Sequence, residues 1–241
     1  MSKAASPVTL SIDIGGTGIK AMLLDRRGHP VSEREREKTP RPATPHRVLD
    51  VVAILAQRLA GFDRVSVGFP GVLTEGQVRT AANLHPSWIG RRPAPLLRQA
   101  LRKPVRVAND ADMQGLGIVD GRGVELLVTM GTGIGSALFL EGRLIPNLEL
   151  GHHPFRRGQT YEQQLGDKTM LRIGRRRWNR RVSKAVELWR QTFNPRRLYL
   201  GGGNARLISI RLPADVRVTS NVAGLLGGIR LWNEPDPALR R

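Results

Sequence analysis

Short apolar runs broken by glycine turns alternate with stretches of helical spacing along the chain. Val8 to Ile14 is a β-rich run ending in Asp13-Ile-Gly-Gly16, and Ile19 to Leu24 is a second run after only a Gly/Thr turn. Two such strands joined by so short a turn read as a hairpin. Val31 to Lys38 alternates charges without a strong apolar face, which suits a third, exposed strand. From Thr44 to Leu59 apolar residues recur at helical spacing, with Gly61 as the stop. Val65 to Phe69 reads as a buried strand closed by Pro70-Gly71, Pro95 to Leu101 as a helix, and Val105 to Ala108 as a strand running into Asn109-Asp110. A second strand–glycine turn–strand unit follows, with Leu126 to Met130 and Ile134 to Leu140 flanking Gly131-Thr132-Gly133. Tyr161 to Arg190 is mostly helical, with breaks near Gly166 and Gly174. Leu198 to Leu200 is a strand entering Gly201-Gly202-Gly203, and Val222 to Trp232 is a last helix. Met1 to Pro7 reads as a short frayed arm. The pattern predicts an α/β fold in which one hairpin unit occurs twice.

Each glycine turn suits phosphate. Asp13-Ile-Gly15-Gly16-Thr17-Gly18 puts an acid at a strand end and then small residues, and Met130-Gly131-Thr132-Gly133-Ile-Gly135 repeats the small-residue turn. Glycine lets the backbone come close to a ligand and exposes N–H groups that phosphate oxygens accept. Thr17 and Thr132 add hydroxyls, and Asp13 can hold Mg²⁺ directly or through water, because Mg²⁺ keeps several waters and takes few carboxylates. The alternative is that each turn only closes a tight hairpin. Gly201-Gly202-Gly203 has the same two readings: close approach of a nucleotide, or a tight strand-to-helix turn.

Composition narrows the class. The chain of 241 residues is 40% hydrophobic, enough for one large domain or two lobes sharing a cleft. It has no cysteine, which excludes disulfides and thiolate metal sites. No window approaches ~20 uninterrupted apolar residues, and the first residues lack a signal-peptide pattern, so the expectation is a soluble, cytoplasmic protein without a membrane partner. Lys+Arg number 39 against 20 Asp+Glu, for a net charge of +19, and all but six of the cations are arginines. Such a field attracts polyanions, although arginine on any solvated face gives the same count. Arg156-Arg157, Arg175-Arg176-Arg177 and Arg180-Arg181 form clusters suited to a linear polyanion, or to a solvated helix face. The P-loop pattern, the dinucleotide fingerprint and the protein-kinase signatures are all absent from the sequence.

Several segments together carry a family resemblance. Leu10-Ser-Ile-Asp-Ile-Gly-Gly-Thr-Gly-Ile-Lys20 resembles the first phosphate motif of the ROK sugar kinases, and Val128-Thr-Met-Gly-Thr-Gly-Ile-Gly-Ser-Ala137 resembles their second. Gly68-Phe-Pro-Gly71 is similar to the loop before the sugar site, Val107-Ala-Asn-Asp-Ala111 to the catalytic segment and Glu149-Leu-Gly-His152 to the sugar-binding turn. Leu200-Gly-Gly-Gly-Asn204 with Asn221 to Gly228 resembles the nucleotide-side motif. The segments occur in the family's order over about residues 8–230, and Gly131 to Gly151 is most similar to the polyphosphate glucokinase branch.

The resemblance implies an actin-like ATPase (ribonuclease H-like) fold of two α/β lobes around a central cleft. Residues 8–108 would form one lobe and 109–241 the other, with the last helix packing near the hinge or on the first lobe. It implies Asp110 as the general base, with an N-cap of the following helix as that residue's other reading. Asn83, Asn109, Glu149, His152 and Glu162 would bind sugar; Asp13, Gly15, Gly16, Thr17, Gly18, Lys20, Gly131, Thr132 and Gly133 would bind phosphate; Gly201, Gly202 and Gly203 would bind nucleotide. Trp88 can stack on a sugar, but packing suits it better. Many members bind zinc through the His of the Glu149–His152 turn and three downstream cysteines. This chain has no cysteine, so no zinc is expected; His152 would be a sugar ligand only, and Pro154 to Thr160 is short and basic instead.

The implied activity is phosphoryl transfer from polyphosphate, ATP or both to a hexose hydroxyl, foremost glucose to glucose 6-phosphate, with Mg²⁺, in a homodimer. The other classes are a kinase for another small sugar, or a sugar sensor or nucleic-acid binder on the same scaffold. A strand beginning near Val8 leaves no room for the helix-turn-helix that precedes the kinase fold in ROK-type repressors.

Overall fold

The computed structural model describes residues 6–219 and 223–233; Met1 to Ala5 of the expected arm, and Asn221 and Val222 of the nucleotide-side motif and last helix, lie outside them. The chain forms two units, one made of the residues up to Gly117 together with those from Gly224 on, the other of Ile118–Ala223.

In the first unit, β1 (Thr9–Ile14) and β2 (Gly18–Leu24) form the expected antiparallel hairpin, and β3 (Glu35–Lys38) pairs with β2. Of the expected Val31–Lys38 strand, this end forms the ladder and its residues alternate between half-buried and exposed, while Val31 N donates to Leu23 O at 2.9 Å without extending it. After α1 (Pro45–Arg58), β4 (Arg64–Phe69) runs parallel to β1. The minor strands β5 (Leu73–Thr74) and β6 (Gln77–Val78) pair with each other, then α2 (Pro93–Leu101) leads to β7 (Val105–Asn109), parallel to β4. The sheet order is β3-β2-β1-β4-β7.

Strand alternation sorts this sheet's faces. Leu10, Ile12 and Ile14 of β1 and Val65, Val67 and Phe69 of β4 are fully buried in one core with Val48, Val52 and Leu55 of α1. Trp88 belongs to that core, its Nε1 donating to Ala43 O at 3.0 Å and its ring edge-on to Phe69, so it packs. The other positions, Ser11 and Ser66, are small, polar and fully buried. Against them lies the chain's return segment, a short helix over Ala223–Leu226 and a 3-10 turn over Gly227–Trp232, where a continuous helix was expected. Ser11 Oγ donates to Leu225 O and Ser66 Oγ to Gly228 O, each at 2.6 Å. Trp232 Nε1 donates to Ser66 Oγ at 2.8 Å, and the Arg64 and Arg106 guanidiniums lie 4.8 and 4.7 Å from its ring. Arg106 also donates to Leu231 O.

In the second unit, β8 (Val124–Met130), β9 (Ile134–Leu140) and β10 (Arg143–Ile145) are antiparallel neighbours. A hairpin of β11 (Pro154–Arg156) and β12 (Gln159–Thr160) precedes three helices, α4 (Tyr161–Leu165), α5 (Asp167–Ile173) and α6 (Arg175–Phe193). The helices break at Gly166 and Gly174 as the spacing predicts. Then β13 (Arg197–Gly201) runs parallel to β8 and β14 (Val216–Val218) parallel to β13. The order β10-β9-β8-β13-β14 repeats the first sheet's pattern of antiparallel and parallel neighbours. The α6 face bearing Trp178, Val182, Ala185, Val186 and Trp189 packs on Leu126, Val128, Leu198 and Leu200. On the sheet's other face Glu125 is fully buried, and its carboxylate accepts the N–H groups of Asp120, Gly121 and Arg122 and the Tyr199 hydroxyl. Among the described residues no helix is long and apolar enough to cross a membrane.

Ser66 thus satisfies two groups of the return segment at once. Ser66→Ala leaves the Gly228 carbonyl and the Trp232 N–H without their partner and should cost about 1–3 kcal/mol. Urea denaturation monitored by tryptophan fluorescence measures it; an unchanged midpoint would show that the return segment contributes nothing through this contact.

Candidate functional site

The first unit's candidates gather where β1, β4 and β7 end. Register pairs Asp13 with Lys20 across the hairpin, and Lys20 Nζ meets Asp13 Oδ2 at 2.8 Å with both side chains partly exposed. The turn between them is closed by Gly15 N donating to Gly18 O at 3.0 Å, and Thr39 Oγ1 donates to Gly15 O. Asn83, itself exposed, lies against Gly16. Asn109 ends β7 and begins α3 (Asp110–Leu116). Its Oδ1 accepts the N–H of Ala111 at 2.8 Å and of Asp112 at 3.2 Å, while its Nδ2 donates to Gly71 O at 3.2 Å. The helix cap is therefore Asn109 and not Asp110, the Asn oxygen being placed to reach two N–H groups of the first turn. One amide hydrogen of Asn109 is already engaged, which leaves it a single donor for a ligand. Asp110 is the first helical residue, half-buried, with Oδ1 accepting the Ala111 N–H at 2.9 Å.

The second unit's candidates converge on one glycine turn. Gly131 N donates to Gly133 O at 3.0 Å, and the Gly131 carbonyl accepts the Asp167 N–H at 2.9 Å. Glu162 Oε2 accepts the Ile134 N–H at 3.1 Å, so the carboxylate of α4 rests on this turn. The Gly201–Gly203 loop reaches the same place. Gly202 has φ +82°, and a Cβ there would lie 2.3 Å from Met130 O, so only glycine fits. Beyond it Asn204 N donates to Met130 O at 2.9 Å, and Asn204 Nδ2 donates to Asp167 Oδ1 at 2.5 Å. The phosphate and nucleotide candidates of this unit therefore form one backbone-lined cluster.

The Glu149–His152 turn is fastened to the start of β9. Ser136 Oγ donates to Leu148 O and accepts the Leu150 N–H at 3.0 Å. A Cβ on Gly151 would come within 2.2 Å of Ile134 O, so this turn also requires a glycine. His152 Nε2 lies 3.5 Å from Glu149 Oε2. Burial raises the Glu149 carboxyl above its ordinary value, the Glu162 charge raises it further, and His152 opposes both. Glu149, His152 and Glu162 thus share one electrostatic neighbourhood. His153 turns aside, its Nδ1 lying 3.0 Å from Pro154 O.

Three further contributors hold backbone: Ser136 and Asn204, which lie inside the family-like motifs without being expected as site residues, and Asp167, which lies outside them. Asp167 could be suspected from its place just after the Gly166 break, where an acid suits a helix start. The basic Pro154–Thr160 segment is the β11–β12 hairpin, held by Phe155 stacked on Tyr161 at 4.6 Å and by Tyr161 against Trp189 at 5.1 Å.

Comparison with known proteins places the chain among relatives of known activity. The family model described as the ROK family matches residues 9–162. The chain is 34% identical over 235 residues to the polyphosphate glucokinase of Mycobacterium leprae (strain TN), covering 90% of this chain and 72% of that one. It superposes with a TM-score of 0.85 and 33% identity on the crystal structure of the inorganic polyphosphate/ATP-glucomannokinase from Arthrobacter sp. strain KM, over 92% of this chain and 97% of that one. A ROK family glucokinase from Streptomyces griseus, in complex with glucose and AMPPNP, is 19% identical with a TM-score of 0.79 over 93% and 98% of the two chains, a likeness of fold. The fold is of the actin-like ATPase class.

A carboxyl whose folded value is raised favours the protonated folded protein: its contribution to stability is present at acid pH and is lost as pH rises through the range just above the ordinary glutamate value. Glu149→Gln should therefore be more stable than the unmodified protein at neutral pH, with the gap closing toward acid. Thermal melts across pH 4–8 read it; a gap that widens on acidification would contradict the electrostatic cluster.

Proposed function

The chain belongs to the ROK family and is a sugar kinase, and on that premise we propose that it transfers a phosphoryl group from inorganic polyphosphate, and also from ATP, to the 6-hydroxyl of glucose. The observation that carries this reading is that Glu162 rests on the glycine turn through the Ile134 N–H and its charge acts on Glu149, which His152 Nε2 meets at 3.5 Å. Sugar hydroxyls need paired acceptors and donors, and phosphate needs backbone N–H groups; here the two kinds of group adjoin. In this reading Asp110 takes the proton of the acceptor hydroxyl, and Asn109 and Asn83 complete the sugar's hydrogen bonds. The phosphate partners are the N–H groups of the Gly15–Gly18 turn with the Lys20 ammonium in the first unit and those of the Gly131–Gly133 turn in the second, where Gly201 to Gly203 serve the donor.

Asp13 is a single carboxylate already meeting Lys20 at 2.8 Å, and among the described residues no three His, Cys, Asp or Glu gather in a way that could hold a metal. That donor set fits Mg²⁺ retaining its waters and sharing donor phosphates, and does not fit a cation caged by protein. Mg²⁺ held at Asp13 would neutralise phosphate oxygens; the positioning of sugar and donor falls to the residues named. Exclusion of water from the reacting groups keeps the phosphoryl group from hydrolysis. The reading extends to a cytoplasmic homodimer, as the family resemblance implies.

Purified protein with Mg²⁺ is to be assayed on glucose, mannose and N-acetylmannosamine with ATP or polyphosphate. Glucose 6-phosphate should form with both donors. Asp110→Asn should lower kcat about 10²–10⁴-fold while calorimetry still detects glucose binding. Turnover by Asp110→Asn at the original rate would remove Asp110 from the chemistry, and no phosphorylated sugar with either donor would remove the kinase reading altogether.

A further inference from the structure

The buried stripe of α6 has a cationic counterpart. Arg177, Arg180, Arg181, Lys184 and Leu188 recur at steps of three and four, so they share one face of the helix. With Phe155 and Arg156 of β11 they line a cavity of about 540 Å³ in the second unit. From Arg177 to Leu188 the stripe runs about 16 Å along the axis, with the Cβ atoms of residues three or four apart about 5–6 Å from one another. Among the described residues none of Arg156, Arg177, Arg180 and Arg181 meets a carboxylate, whereas Lys184 pairs with Glu187 at 3.2 Å. The guanidiniums are close enough to repel: desolvation, and then the charges of Arg156, Arg172 and Arg157, press Arg181 below its ordinary value. Self-repelling arginines around a concavity are stabilised by an anion that bridges them.

The occupant is a repeating anion. A single phosphate cannot reach from Arg177 to Lys184, whereas a chain of phosphates can. Single-stranded nucleic acid has the charge but wants aromatic rings on which bases stack. The groove offers only Phe155, and that ring is already stacked on Tyr161. The groove also adjoins the candidate site, because Arg181 Nη1 donates to Gln164 O at 3.3 Å, on the same short helix that carries Glu162.

We propose that this groove between α6 and the β11–β12 hairpin anchors the distal part of a long inorganic polyphosphate chain, giving the enzyme a preference for long donors. The proposal rests on the polyphosphate reading of the donor, and its test separates the two. The double variant Arg177→Gln/Arg180→Gln changes two exposed side chains, and Lys184→Gln, a milder single change, serves as the second variant. KM is measured for long-chain polyphosphate, tripolyphosphate and ATP. The double variant should raise KM for the long chain about tenfold or more, Lys184→Gln should raise it less, and kcat and the KM values of tripolyphosphate and ATP should hold. An unchanged long-chain KM, or an equal rise for all three donors, overturns the groove's role.

Calorimetric binding of long-chain polyphosphate to the same proteins isolates the groove from catalysis. If the unmodified enzyme turns over ATP but not polyphosphate, the donor reading fails. Binding that is lost in the double variant then still upholds the groove, and binding that persists overturns it. Equal displacement of the chain by single-stranded RNA of matched phosphate number would make the groove a nucleic-acid site and overturn the proposal.

Discussion

The candidate site of the second unit depends on one close approach, that of the Gly202 backbone to Met130. No side chain fits between them. Because they touch, the end of β13 is drawn onto the end of β8, and the two glycine loops become one surface. Asn204 and Asp167 secure that surface by hydrogen bonds to the Met130 and Gly131 carbonyls, and Glu162 secures it from α4 through the Ile134 N–H. A backbone surface of this kind is held by the sheet rather than by its own loops, which suits a candidate site that presents N–H groups without rearranging. The first unit uses the same sheet order but closes its turn differently, with the Asp13–Lys20 ion pair and Thr39.

Much of this was legible in the residues. The two hairpins were visible because apolar runs of strand length stand on either side of glycine turns, and the breaks between α4, α5 and α6 because Gly166 and Gly174 interrupt otherwise helical spacing. The Glu149, His152 and Glu162 neighbourhood followed from motif resemblance, since no local pattern ties residue 149 to residue 162.

What stayed hidden is long-range or polar. The β11–β12 hairpin reads as a basic loop, because strands of three and two residues carry no periodicity and its stability comes from Phe155 stacking on Tyr161. β14 has one buried residue, Val216, and two exposed ones, so its pairing with β13 leaves little apolar trace. Asn109 beside Asp110 offers two good caps; which of them turns back to the helix depends on Gly71, distant in sequence, accepting the Asn109 amide. The last helix is shortened because Ser11 and Ser66 bond to carbonyls of the return segment, whose backbone lies directly on the sheet.

The proposed activity requires sugar to bind where the Glu149–His152 turn and Glu162 lie beside the start of β9. A crystal structure of the protein soaked with glucose tests it most directly. Sugar hydroxyls should lie within hydrogen-bond reach of Glu149, His152 and Glu162. A glucose ordered elsewhere, with those three side chains touching only protein and water, would contradict it.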